Sequence, residues 1–86
     1  MDAHNPYEVN AAPELNVNAG DKFFIRVGTR RFIVDVVDVQ YGDASSPTKY
    51  RLQNLNQDYD RTFTASELSR LMRSRNLQGY KILEQL

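Results

Sequence analysis

Apolar and polar side chains alternate through residues 22–27. Phe23, Ile25 and Val27 fall on one side, Phe24 and Arg26 on the other, which is the period of a β-strand. Gly28-Thr29-Arg30-Arg31 then predicts a tight hairpin connection, with Gly28 supplying the backbone freedom of the turn. A β-branched run extends a second strand over residues 31–41, but its alternation breaks partway. Phe32, Val34 and Val36 share a face and Asp35 takes the other, so unbroken alternation would drive Asp38 into the apolar side. One inserted residue near Val36 and Val37 removes the conflict, turning Asp38 outward and Val37 and Val39 inward. This is the sequence mark of a β-bulge, the device that bends a long strand around a small closed barrel.

After a loop at residues 42–47, Tyr50 and Leu52 alternate with Arg51 and Gln53, giving a third strand over about 48–54. Residues 54–60 carry turn chemistry, and Arg61-Thr62-Phe63 reads as a short fourth strand. Thr64-Ala65-Ser66-Glu67 is a capping box, flanked by Phe63 and Leu68 as a hydrophobic staple. Leu68, Leu71 and Met72 follow at helical spacing, so a helix is predicted over about 65–75, with Asn76 as a left-handed stop. Gly79 opens a final segment, Tyr80-Lys81-Ile82-Leu83, that alternates loosely enough for a fifth strand. Residues 1–20 differ from the rest: two prolines, four asparagines and few large apolar groups predict a flexible polar arm. Leu15 and Val17 allow a short strand at 14–18 within it.

Residues 21–83 resemble the SH3-like small barrels, a group that includes Tudor-type and KOW-type modules. The resemblance is carried by the strand at 21–27, the bent strand at 31–41, the strand at 49–52 and the strand-to-helix segment Arg-Thr-Phe-Thr-Ala-Ser-Glu-Leu at 61–68. It implies a mainly β fold, an SH3-like barrel of four to five antiparallel strands with one short C-terminal helix, as a single domain over 21–86. The KOW-type glycine-centred loop is not evident. A Tudor-type aromatic cage would have only Tyr41, Tyr50 and Tyr59 to draw on, so no family ligand is carried over. In size and in its polar arm the chain is also similar to small phage-encoded proteins that act on host or viral machinery.

Composition narrows the function more than it identifies it. The chain has 86 residues, no cysteine and one histidine, with 11 basic against 11 acidic side chains. Absent cysteine removes disulfides, thiolate zinc sites and a thiol nucleophile. No apolar run approaches the roughly 20 residues of a membrane span, and no basic-then-apolar leader is present, so the expectation is a cytoplasmic protein without membrane contact. The zero net charge conceals a gradient: residues 1–43 hold four bases against seven acids, and residues 44–86 the reverse. A balanced total argues against generic polyanion binding.

The candidate sites follow. His4 stands alone, so no metal or cofactor is expected. Asp35, Asp38 and Asp43 read as solvated strand and loop carboxylates rather than an acid–base pair, so no catalytic residue is assigned and the chain is not read as an enzyme. Phe24 and Ile33 lie on the face a small barrel does not bury, and with Arg26, Arg30 and Arg31 they form the predicted partner-binding edge. A partner protein or a second copy of the chain would cover it. Arg61, Arg70, Arg73 and Arg75 make a second basic patch, in part suited to the helix dipole. The expected function is a non-enzymatic protein-interaction module, a small viral inhibitor or adaptor. The alternative is a nucleic-acid-binding barrel using the same arginines, with Tyr41, Tyr50 and Tyr59 for stacking.

Overall fold

The computed structural model describes residues 15–73 and 75–86. In chain order the elements are β1 (Lys22–Val27), β2 (Arg30–Gln40), β3 (Lys49–Asn54), a 3-10 turn (Leu55–Gln57), β4 (Tyr59–Thr64), α1 (Ala65–Met72) and β5 (Tyr80–Gln85). The strands form one antiparallel sheet in the order β4-β3-β2-β1-β5. The described residues are therefore mainly β with one α-helix, and no described helix is long and apolar enough to cross a membrane.

The sheet curls but does not close into the expected barrel: β4 and β5 are its two edges. The chain between them is spent on α1 and a turn, and α1 packs against β5, β4 and β3 instead of letting the edges meet. Side chains bridge what the backbone does not. The Tyr80 ring stands 6.0 Å from Tyr59 and 5.7 Å from Phe63, edge-on to both. The Arg61 guanidinium lies over Tyr80 at 4.9 Å. Such aromatic pairs each contribute about 0.5–1.5 kcal/mol beyond the area they bury. Burial raises the Tyr59 phenol pKa far above its ordinary value, with Tyr80 adding to the effect.

The core forms on the inward face, where Phe23, Val34, Val36 and Leu52 meet Leu68 and Leu71 of α1. The capping box forms as predicted: the Glu67 N–H donates to Thr64 Oγ1 at 3.2 Å and the Thr64 N–H donates to Glu67 Oε1 at 2.8 Å. The helix nonetheless stops at Met72 with Arg73 as its cap, short of residue 75. Asn76 is not the left-handed stop. That conformation falls to Gln78 (φ 54°) and Gly79 (φ 84°). Leu77 and Tyr80 exchange backbone hydrogen bonds of 3.0 and 2.9 Å across them. A two-residue turn with both residues left-handed has the right twist to feed directly into β5.

The bulge in β2 is present, as a register shift between Val36 and Asp38 against β3. Val36 is buried and Asp38 exposed. Val37 departs from expectation: as the extra residue it has no partner on β3 and is 44% exposed. Only Val39 leans onto the core. A second irregularity lies between β1 and β5, where Phe24 pairs with Glu84 but Ile25 with Ile82, leaving Leu83 as the extra residue.

Of the N-terminal arm, residues 1–14, including His4, lie outside the described residues. Residues 15–18 form no strand, yet they are not loose. Val17 is in the core, the Gly20 N–H donates to the Val36 carbonyl at 2.8 Å, and the Val36 N–H donates to the Asp21 carbonyl at 2.8 Å. The extra residue of the bulge thus leaves Val36 both packed inside and tied to the incoming chain.

The bulge makes two neighbouring valines opposite in character. Val36→Thr should cost about 1–3 kcal/mol because it buries a hydroxyl, whereas Val37→Thr should stay within about 0.5 kcal/mol. Denaturant unfolding of the two variants checks this, and equal losses would contradict the bulge.

Candidate binding face

The strand register stacks the outward side chains into rows that run across β5, β1 and β2. Lys22 lies opposite Asp35 and forms an ion pair with it. One step along, Phe24 lies between Ile33 on β2 and Glu84 on β5, beside the extra residue Leu83. The next row is Arg31, Arg26 and Lys81, again in direct register. Successive rows are about 7 Å apart, two residues of extended chain.

The middle row joins apolar Ile33 and Phe24 to Glu84, beside Leu83. Phe24 is half-buried, Ile33 is 44% exposed and Leu83 38% exposed. Leu55, 81% exposed, opens the 3-10 turn that follows β3. The Asn54 side chain donates to the Ile33 carbonyl and holds the 3-10 turn against that strand. Phe24 and Ile33 thus adjoin on the outward face, with Leu83 and Leu55 exposed at the positions beside them.

The predicted arginine edge separates into three different environments. Arg30 points to the core side, its guanidinium 5.3 Å from the Phe32 ring, and Nη2 donates to the Gln57 carbonyl at 2.9 Å and to Gln57 Oε1 at 3.1 Å. It covers the end of the core and does not share the face of Phe24. Arg26 does share it. Its Nη2 donates to Asn76 Oδ1 at 3.1 Å, while its buried Nε finds no acceptor among the described residues. Arg31 is exposed, with no hydrogen-bond partner among the described residues. Lys81, half-buried, completes the row on β5. Sequence reasoning missed Lys81, because only the pairing of β5 with β1 brings it beside Arg26.

The other candidates are dispersed. Arg61 occupies an inward register position at the gap between the sheet edges, spent on Tyr80. Arg70 and Arg73 are exposed at the end of α1, Arg70 in the last turn and Arg73 at the cap, with Arg75 just beyond. Of the three tyrosines, Tyr50 and Tyr59 are buried and have no free ring to stack; only Tyr41 is exposed. Their apolar neighbours in the alternating strands place them inside.

The carboxylates are scattered too, and no group of three His, Cys, Asp or Glu side chains that could hold a metal occurs among the described residues. Asp43 accepts from the Ser45 N–H, the Ser45 hydroxyl and the Ser46 N–H at 2.8–3.0 Å. Those bonds, the Ser45 N–H first, lower its pKa. On the outward side of β2, β3 and β4, Asp38, Gln40, Lys49, Arg51, Asp60 and Thr62 line an open polar depression of about 380 Å³. Two of its charges, Arg51 and Asp60, pair with one another. Arg51 grips Asp60 with both Nε and Nη2, and the Gln53 amide donates to the same carboxylate at 3.2 Å. The guanidinium holds Asp60 below the usual carboxylate range.

Comparison with protein-family models, with curated proteins and with solved structures finds no match to this chain. The geometry of the face therefore has to carry the reading.

Arg30 and Arg31, adjacent in sequence, should respond differently to removal. Arg30→Ala should cost about 1 kcal/mol through its ring contact and its bonds to Gln57. Arg31→Ala should be neutral within about 0.5 kcal/mol, since it faces another cation across the strand. Thermal unfolding of both variants provides the check; a larger loss at Arg31 would contradict the assignment.

Proposed function

We propose that this protein is a non-enzymatic protein-interaction module. Its docking surface is the outward face of β5, β1 and β2, centred on Phe24 and Ile33. The observation that carries the reading is the apolar pair Phe24 and Ile33, with Leu83 and Leu55 exposed at the neighbouring positions, on a face that the other described residues leave partly uncovered. Folding does not require these side chains to be large and apolar, and water does not favour them there. The strand order β4-β3-β2-β1-β5 supports reading the fold as an SH3-like small barrel left open between β4 and β5. Two of the three tyrosines needed for the nucleic-acid alternative are buried and Arg30 is turned away, so the interaction reading is the better supported.

A photo-crosslinking side chain placed at Ile33 of the full chain, in the cells that make it, tests this directly. The expected result is a discrete protein adduct from position 33 that is absent when the probe is moved to Ser45. Nucleic-acid adducts alone, or the same adducts from both positions, would sink the reading.

A further inference from the structure

Arg31, Arg26 and Lys81 lie side by side on three adjacent strands, in direct register, on the outward face. Adjacent strands are about 4.8 Å apart, so the three cations span about 10 Å. Like charges directly opposite one another across a sheet are destabilising. Nothing in folding calls for this row, and a neutral residue at either end would relieve it. No carboxylate among the described residues pairs with it: Asp35 is held by Lys22, and Glu84 stands one row away beside Phe24. Asn76 accepts from only one nitrogen of Arg26, Nη2. Three cations without a carboxylate partner among the described residues constitute half of a charge-assisted contact.

The row borders the apolar row at about 7 Å. A segment that presents a carboxylate and an aliphatic side chain four residues apart on one helix face spans about 5–6 Å, which fits both rows together. A polyanion fits less well. The chain has no net positive charge. We infer that Arg26, Arg31 and Lys81 form the receptor for a carboxylate side chain on an acidic, amphipathic segment of a partner protein, whose apolar side chains cover Phe24 and Ile33. This rests on reading the outward face as the docking surface.

The test is an amide NMR titration of the full chain with three probes. They are a lactam-stapled helical peptide carrying Glu and Leu four residues apart, its Glu→Gln counterpart, and a single-stranded oligonucleotide. The Glu peptide should shift Arg26, Arg31, Lys81 and Ile33 together. Replacing Glu by Gln, or combining Arg31→Ala with Lys81→Ala, should each weaken binding by about tenfold, the loss of one charge-assisted bond. The double variant touches only side chains without partners among the described residues, so its spectrum should report an unchanged fold. Equal binding of the Gln peptide, or tighter binding of the oligonucleotide at the same salt, would overturn the inference. If Ile33→Asp abolishes peptide binding while the double variant does not, the docking face stands and the carboxylate receptor falls. If no probe shifts this face, both fall.

Discussion

A single curled sheet of five strands can bury one face only, and everything else in this protein follows from how that limit is met. The inward face is closed by α1 at the gap between β4 and β5, and by Tyr80, Tyr59, Phe63 and Arg61 where no backbone ladder joins the edges. The bulge at Val37 lets the long β2 bend while keeping Val36 inside and bonded to the chain entering at Gly20 and Asp21. With the core complete on one side, the side chains on the other are released from the demands of folding. Their pattern then becomes informative about binding.

That pattern is not uniform. Toward β4 Arg51 and Asp60 neutralise one another, with the Gln53 amide on the same carboxylate, and such exposed pairs add little to stability. Toward β5 the pattern differs: apolar Phe24 and Ile33 adjoin in one row, and three cations follow in the next without a carboxylate partner among the described residues. An arrangement that folding gains nothing from, set beside one that is internally satisfied, marks where a partner's chemistry is needed.

Much of the fold was legible because the residues state it locally. Asp35 and Asp38, three apart on a β-branched run, cannot both face water without an extra residue. Thr64 and Glu67 announce the helix start through their own hydrogen bonds. What was not legible depended on pairing between distant segments. Nothing near Val37 says that it, rather than its neighbour, is the residue pushed outward. The left-handed pair at Gln78 and Gly79 is required by the hairpin into β5, which the helix end does not foretell. The binding face was half legible: Phe24, Arg26, Arg31 and Ile33 follow from alternation, but Lys81 and Leu83 join them only through the β1–β5 ladder. Arg30 was misplaced because it is the first residue of β2 rather than part of the turn, so alternation puts it on the side of Phe32.

The central claim is that the core is complete without the outward apolar row, leaving that row for a partner. Its most direct test is the thermal unfolding of the Ile33→Ser and Leu83→Ser double variant of the full chain. The midpoint should match that of the unsubstituted protein within error. A fall comparable to that caused by truncating a core residue such as Leu68 would mean that the row is part of what holds the protein together, and would contradict the account.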